Sequence, residues 1–210
     1  MEMIIIFIIC ETLAAFLSFA DSSTDILQDL LTFALLGGLA TIILTMRLHD
    51  FLIYRATLKG KHKKAIRMYK NKFRISPNNK SRNGILLNLA PLYFMIDEKD
   101  NAIENLKKVD FLAFKKPMLK SYFQLLTAYG KYLENDFEKI NDYLESAISY
   151  EPLAETVSEL LKAAVLIKED KKEEGFKLFK TLPNDLNDLD EYYFEPFDKL
   201  YLEIEKLVKN

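Results

Sequence analysis

The amino-acid sequence predicts an all-α protein: an N-terminal transmembrane helical hairpin, an α-solenoid of about three to four helix pairs, and a C-terminal capping helix. Three observations predict it. The first 46 residues are apolar and contain neither Lys nor Arg. Residues 47–82 are strongly basic, which is typical of a segment that follows a membrane span on the cytoplasmic side. Beyond them, apolar residues recur at helical spacing, and similar positions return every 35–38 residues, which indicates a helical repeat.

The net charge of −2 conceals a strong segregation along the chain. Residues 1–46 carry −5, from five acids and no base. Residues 47–82 carry +11, from twelve bases and one acid, and residues 83–210 carry −8, from 17 bases and 25 acids. A nucleic-acid-binding domain usually spreads its bases over a folded face instead. We therefore expect a membrane anchor, a basic juxtamembrane segment and an acidic soluble domain, with no nucleic-acid partner.

Two apolar runs form the predicted hairpin, over residues 3–20 and 30–46. As helices they would rise about 25–27 Å, which is just enough to cross a bilayer core. The basic segment after the second run places the C-terminal domain in the cytoplasm. Small residues before position 21 also permit signal-peptide cleavage after Ala20, which would leave one span and the same orientation.

Polar and small residues inside these runs predict intramembrane contacts. Glu11 is costly in the bilayer unless it is protonated, paired or turned toward protein. Gly37 and Gly38 form a flat patch that another helix can approach closely. The partner is either the other helix of the hairpin or a second integral membrane protein, and the sequence leaves both open. Cys10 is the only cysteine, so the chain forms no internal disulfide, which fits a reducing compartment.

The second span is predicted to continue without a break as one helix from residue 30 to residue 58 and to end at Gly60. Its cytoplasmic half carries an apolar stripe that we expect to pack on the following helix. The stripe consists of Leu48, Phe51, Leu52, Tyr54 and Leu58. Bases in and after this half are expected to contact anionic lipid headgroups, at about 1 kcal/mol each. These are Arg47, Arg55, Lys59, Lys61, Lys63 and Lys64.

The soluble domain resembles the tetratricopeptide repeat (TPR) family. In the second copy, Leu86, Leu89, Ala90 and Tyr93 match positions of helix A, and Ala102, Leu106 and Val109 match positions of helix B. Corresponding positions recur at Ala65, Ala102, Ile140 and Gly175. The resemblance covers roughly residues 47–183, with the first repeat in 47–82 and the others in 83–183. Pro91 departs from the pattern, because inside helix A it should kink the helix or start it afresh.

The resemblance implies a concave surface, built mostly from A helices, that binds a protein or peptide. Carried onto this chain, it gives seven partner-binding positions: Leu87, Phe94, Met95, Tyr122, Leu125, Tyr129 and Tyr132. The three tyrosines suit a peptide groove, since they offer apolar rings and hydroxyl groups. The alternative is that they form the core between repeats. A terminal helix opening at Pro196, within the segment 184–210, is the expected cap of the solenoid.

No motif for catalysis is present. Both histidines lie in the basic segment, and the sequence shows no Cys/His cluster for zinc, no phosphate-binding glycine loop and no nucleophile elbow. We therefore predict no enzymatic activity, cofactor or metal. The favoured function is a membrane-anchored cytoplasmic adaptor or scaffold that binds a protein or peptide at the bilayer surface. The alternative is a non-catalytic subunit or assembly factor of an integral membrane complex, docked through the hairpin. The layout resembles that of certain bacterial envelope proteins, which favours the bacterial cell membrane.

Overall fold

The computed structural model describes residues 26–76, 78–183 and 195–209. Every regular element in these ranges is helical, which confirms the all-α class for them. The helices are α1 Ile26–Leu58, α2 His62–Ile75, α3 Asn79–Met95, α4 Lys99–Lys107, α5 Pro117–Glu134, α6 Ile140–Tyr150, α7 Ala154–Lys168, α8 Lys172–Phe179 and α9 Glu195–Lys209, with a short 3₁₀ helix at Phe111–Ala113. The chain divides into two units after Lys59, so α1 belongs to the first and α2–α9 to the second.

The first helix is continuous, as the sequence predicts. It has 33 residues, which corresponds to a length of about 50 Å. It ends at Leu58, and Gly60 then adopts a left-handed φ of 63°, the conformation that commonly terminates a helix and that glycine adopts at little cost. Within α1 the Thr41 hydroxyl donates to the Gly37 carbonyl at 2.8 Å, and the Thr45 hydroxyl donates to the Thr41 carbonyl at 2.7 Å. Such bonds satisfy a hydroxyl group without water.

Among the described residues, α1 contains the one helix segment that is long and apolar enough to cross a membrane. This segment is Leu35–Leu58, 24 residues with a mean hydropathy of 1.4. Most of its large apolar side chains are exposed, among them Leu35, Leu36, Leu39, Ile43, Leu44 and Met46. The other predicted span, residues 3–20, and Glu11 within it lie outside the described residues.

The predicted packing stripe on the second half of α1 is wrong. Leu48, Phe51, Leu52, Tyr54 and Leu58 are all exposed. The buried positions in this half are instead Ile53 and Ala56. Large apolar residues lie on several faces of the helix here, so their spacing alone does not identify the buried face. That face instead includes a small residue, Ala56.

The second unit is built from helix hairpins. Helices α3 and α4, α5 and α6, and α7 and α8 pair as neighbours joined by short turns. Each pair contacts the next, because α4 lies against α5 and α6 against α7, while α3 contacts α5 and α5 contacts α7. Helix α2 precedes the first pair and contacts α3. The predicted repeat positions Ala65, Ala102, Ile140 and Gly175 are all buried.

The turns inside the hairpins repeat one backbone conformation. Asp97, Asn135 and Asp170 follow α3, α5 and α7 with φ values of 61°, 60° and 67°. In each turn the next amide donates to a carbonyl five residues back, as in Glu98 N to Tyr93 O at 3.0 Å, which is the Schellman arrangement. Together with Gly60, these residues are spaced 37, 38 and 35 apart, the period predicted from the sequence. A residue with a left-handed φ therefore follows each of four alternate helices, α1, α3, α5 and α7.

Pro91 does not restart its helix. α3 runs without interruption from Asn79 to Met95 with Pro91 buried inside it. A buried proline in the last helical turns removes one backbone hydrogen bond, and the helix ends four residues later at Met95. Of the two predicted outcomes, a kink or a fresh start, the fresh start is therefore wrong.

Candidate functional site

The seven residues predicted to bind a partner lie on α3 and α5, and they are not exposed. Leu87, Phe94, Tyr122, Leu125, Tyr129 and Tyr132 are buried, and Met95 is half-buried. Their clustering on neighbouring helices agrees with the sequence, but the expectation of an open groove is wrong. Whether they bind a partner stays a prediction, and for Tyr129 the structure shows an occupant from the chain itself.

That occupant is α9, which packs against α3 and α7 and reaches α5 between them. The ring of Phe197 on α9 meets the ring of Tyr129 edge-on, with centroids 5.6 Å apart. Tyr129 also meets Phe94 edge-on at 5.0 Å and stacks on Tyr132 at 6.0 Å. Four aromatic rings from three helices thus form one cluster, and favourable ring pairs of this kind add to the free energy gained by burial. We name the surface of α3, α5 and α7 beneath α9 the helix-binding face.

The occupant is amphipathic. Phe197, Leu200 and Ile204 are almost completely buried and recur at i, i+3 and i+7, a single stripe along α9. Leu202 and Leu207 on the same helix are exposed. The Tyr201 ring lies 4.7 Å from Phe179, so α9 also touches α8.

The prediction of a terminal helix opening at Pro196 is confirmed, because α9 begins at Glu195. Within residues 195–209, α9 contacts the last helix pair through α7 and α8, as the predicted cap would, and it also contacts α3 and α5, which the prediction did not include. Residues 184–194 of the predicted cap lie outside the described residues.

Polar contacts border the helix-binding face. Lys199 Nζ of α9 donates to Asp97 Oδ1 at 2.6 Å, and Asp97 is the left-handed residue that ends α3. Tyr201 donates its hydroxyl proton to the Pro183 carbonyl at 3.4 Å. The Lys199–Asp97 pair is largely exposed, so it adds about 0.2–1 kcal/mol. The apolar stripe supplies most of the attraction.

A second lysine contact lies at the C-terminal end of α5. Lys168 Nζ lies 4.0 Å from the centroid of the Tyr132 ring and donates to the Tyr132 carbonyl at 3.2 Å. It also donates to Asn135 Oδ1 at 3.1 Å. Partial burial lowers the pKa of Lys168, and the nearby charge of Lys99 lowers it further. The cation over the ring and its bond to the carbonyl fix the C-terminal end of α5.

Burial governs the protonation of the tyrosines beneath α9. It raises the pKa of Tyr132 to about 12, with a smaller contribution from the negative charge of Glu203 on α9. The same two causes raise the pKa of Tyr129 well above its usual range. Both phenols are therefore neutral under physiological conditions. The helix-binding face is therefore an uncharged aromatic surface that contacts the apolar stripe of an amphipathic helix.

The other predicted site residues lie elsewhere. The lipid-contact bases Arg47, Arg55, Lys59, Lys61, Lys63 and Lys64 are all exposed. Gly37 and Gly38 lie half-buried on α1, and a Cβ placed on Gly38 would meet no atom within 4 Å. Among the residues that the structure describes, no group of three or more His, Cys, Asp or Glu side chains is arranged to hold a metal ion.

Sequence reasoning missed the role of Phe197, Leu200 and Ile204 as occupants of the helix-binding face. Their helical stripe is visible in the sequence, but a stripe does not say which surface it meets. Comparison of the chain with protein-family models, curated proteins and solved structures finds no match. The TPR resemblance therefore rests on the residues and on the repeated turns described above, and it stays a prediction.

Proposed function

We propose that this protein is a membrane-anchored, TPR-like adaptor with a cytoplasmic α-solenoid whose helix-binding face takes up an amphipathic helix of a partner protein. The observation that carries the proposal is that this face already binds an amphipathic helix, α9, through Phe197, Leu200 and Ile204. A surface that buries one such helix has the shape and chemistry to bind another of the same pattern.

The anchor in this proposal is α1, preceded by a second span over residues 3–20 or left as one span after cleavage. Exposed large apolar side chains along Leu35–Leu58 support it, because water is a poor solvent for such a surface. The bases that follow the span support a cytoplasmic domain in contact with anionic lipid. The exposure of Lys59, Lys61, Lys63 and Lys64 is compatible with that contact.

The pattern of α9 defines the partner sought. The partner helix carries an aromatic residue followed by aliphatic residues three and seven positions later, with a basic residue two positions after the aromatic to meet Asp97. It exchanges with α9 in the proposed mechanism. A tethered occupant acts at an effective concentration of roughly millimolar order, so a partner in trans binds weakly until α9 is loosened.

The test uses the full chain in lipid nanodiscs and a fluorescent peptide of residues 195–209 as the probe. Leu200→Asp places a charge in the buried stripe and should release α9, so the variant should bind the peptide at least about tenfold more tightly than the unaltered chain. A peptide carrying the same Leu200→Asp change is the matched control and should not bind. Lys199→Glu provides a milder release should Leu200→Asp unfold the domain.

Fluorescence anisotropy gives the affinities, and circular dichroism establishes that each variant remains helical. Equal, negligible binding to the unaltered chain and to folded released variants would contradict an exchangeable helix-binding face. In that outcome α9 is a permanent part of the core.

The second candidate is a non-catalytic subunit or assembly factor of an integral membrane complex, docked through the membrane helices. The open surface at Gly38, where a Cβ would meet no atom within 4 Å, favours it. Crosslinked pull-down from membranes separates the two. Partners lost on Gly38→Ile indicate docking through α1, whereas partners that change with Leu200→Asp and survive Gly38→Ile indicate the adaptor.

A further inference from the structure

The connections between hairpins lie at one end of the second unit. Helices α2 to α8 run alternately up and down, so the connections that follow α2, α4 and α6 share an end, which we name the linker end. Their described residues are Ser76 and Asn78, then 108–116, and then 151–153. The three turns inside the hairpins share the opposite end, which we name the turn end. They are 96–98, 135–139 and 169–171.

Direct contacts join the three connections into one surface. Arg82 Nε donates to the Ser76 carbonyl at 3.2 Å. The side chain of Asn83 donates to the Asp110 carbonyl at 2.6 Å and accepts from the Asp110 amide at 2.7 Å.

The same surface continues to the third connection through aromatic rings. The Phe111 ring lies 5.9 Å from the Tyr150 ring. The Lys120 ammonium lies over both of these rings, 5.6 and 5.2 Å from their centroids. The linker end is therefore continuous from the first connection to the third.

This surface carries an unusual set of exposed apolar side chains. Ile75 is 79% exposed, Leu112 is 85% exposed and Leu153 is 60% exposed, one beside or within each connection. In the described part of the second unit, the other exposed large apolar residues are Leu202 and Leu207 of α9, and none belongs to the turns 96–98, 135–139 and 169–171. Three apolar tips at one end thus distinguish it from the opposite end.

Charge separates the two ends as well. The first two connections are flanked by exposed bases, namely Arg74, Lys80, Arg82, Lys115 and Lys116. The turns 96–98, 135–139 and 169–171 instead present more exposed acids than exposed bases. The acids are Asp97, Glu98, Glu138, Glu169 and Asp170, and the bases are Lys139 and Lys171. The third connection is acidic, since Glu151 and Glu155 flank Leu153. Attraction to an anionic surface is therefore strongest around Ile75 and Leu112.

We propose that the linker end contacts an anionic bilayer surface, with Ile75 and Leu112 inserted at the boundary of headgroups and acyl chains and the surrounding bases at lipid phosphates. This inference rests on the proposed membrane anchorage. Isolated apolar tips among bases are the pattern of an interfacial membrane contact, whereas a protein partner would favour a contiguous apolar patch.

The proposal differs from the lipid contact predicted by the sequence. Lys61, Lys63 and Lys64 stand at the start of α2, whereas Ile75 stands at its end, about 20 Å away along the helix. The second unit would thus meet the bilayer with the end of α2 and the 3₁₀ segment that contains Leu112.

The experiment exploits the absence of tryptophan from the sequence. Leu112→Trp and, as matched control at the turn end, Glu138→Trp are each introduced into the full chain. The chains are reconstituted in vesicles of phosphatidylglycerol and phosphatidylcholine, part of which carries brominated acyl chains. Because Trp at 112 would lie roughly 5–10 Å into the headgroup boundary, its fluorescence should be quenched at least about twofold more than Trp at 138. Lys115→Glu combined with Lys116→Glu should reduce that difference.

Equal quenching at the two positions would overturn the proposal. A second result would also overturn the proposal. If iodide does not quench Trp at 112 in native membranes, and brominated lipid does not quench it in vesicles, a protein and not lipid covers this position. Resistance to alkaline carbonate extraction, measured on the same samples, reports anchorage separately. Quenching at 112 without this resistance supports lipid contact at the linker end and contradicts the membrane anchor. Resistance without quenching supports the anchor and contradicts lipid contact at the linker end.

Discussion

Helices α1 and α9 lie near opposite ends of the described chain and treat their apolar side chains in opposite ways. On α9, Phe197 is fully buried, together with Leu200 and Ile204, against other helices of the same unit. On α1, Leu39 is 55% exposed, and its large apolar neighbours are exposed too. One helix has its apolar partner within the chain, and the other presents its apolar surface outward.

This difference shows which apolar patterns predict a contact within the protein and which do not. A narrow stripe with charged residues on the other side, as on α9, predicts a protein contact. Apolar residues around the whole helix, as over residues 35–46 of α1, predict a surrounding apolar solvent, which is the lipid of the proposed anchor. Matched substitutions on the two helices therefore test whether α1 and α9 differ in this way.

The largest effect is expected from Phe197→Ala. It removes a fully buried ring that contacts Tyr129, so the free energy of unfolding should fall by about 3–5 kcal/mol. Leu39→Ala on α1 and Leu202→Ala on the exposed side of α9 are the controls, and in detergent both should change it by less than about 1 kcal/mol. Denaturant unfolding followed by circular dichroism measures all three. Equal losses for Phe197→Ala and Leu39→Ala would remove the contrast between α1 and α9.

A large effect is also expected at alkaline pH, from the tyrosines beneath α9. The pKa of Tyr132 is raised by burial from its usual value near 10 to about 12. The folded state therefore keeps this proton more tightly than the unfolded state does, so the contribution to stability is complete below pH 10 and is lost as the pH rises to about 12. The loss should reach roughly 2–3 kcal/mol.

Tyr132→Phe tests this expectation, because it keeps the ring and removes the ionisable group. Melting temperatures across the alkaline range should fall less steeply for the variant than for the unaltered chain. Identical slopes would show that Tyr132 titrates as an exposed phenol, and α9 would then not shield it.

A smaller effect is expected from adding one methyl group to two glycines. A Cβ on Gly175 would lie 2.7 Å from Ile167 Cγ1 and 2.9 Å from the Ala163 carbonyl, where α7 and α8 approach closely. Gly175→Ala should therefore cost about 1–3 kcal/mol through overpacking. Gly38→Ala meets no atom within 4 Å and should stabilise α1 by up to about 1 kcal/mol. A Gly175→Ala variant as stable as Gly38→Ala would show that the two hairpin helices are further apart than described.

The smallest effect is expected from the ion pair at the border of the helix-binding face. Lys199→Ala and Asp97→Asn should each cost no more than about 1 kcal/mol, since the pair is largely exposed and asparagine tolerates the left-handed φ at position 97. A double-mutant cycle in low and high salt isolates the coupling, which should weaken with salt. A salt-independent coupling of several kcal/mol would mean that α9 is held by charge more than by its apolar stripe.

Much of the fold follows from local signals in the sequence. The uninterrupted helix through Leu58, its end at Gly60 and the period of the repeated turns depend on backbone preferences and on helix spacing, which are legible residue by residue. The amphipathic helix after Pro196 was predictable for the same reason. These features can be predicted without knowing which other helices each element contacts.

The tertiary destinations of these elements were not predictable. Tyr129 could equally line an open groove or a core, and the arrival of Phe197, 68 residues later, decides for burial. Likewise the spacing of Leu48, Phe51 and Leu52 indicated a packing stripe, while Ile53 and Ala56 are the buried pair. Where a helix has apolar residues on several faces, only its neighbours determine which face is covered.

The most direct test of the account is the orientation of α1 across a membrane. With Cys10 replaced by serine, the chain has no other cysteine, so Ser23→Cys and Ser81→Cys each introduce a single thiol on either side of Leu35–Leu58. In intact cells an impermeant thiol reagent should label the cysteine at 23 and not the one at 81, and both should react after the membrane is opened. Labelling of both in intact cells, or of 81 alone, would contradict a cytoplasmic domain carried by a membrane-spanning α1.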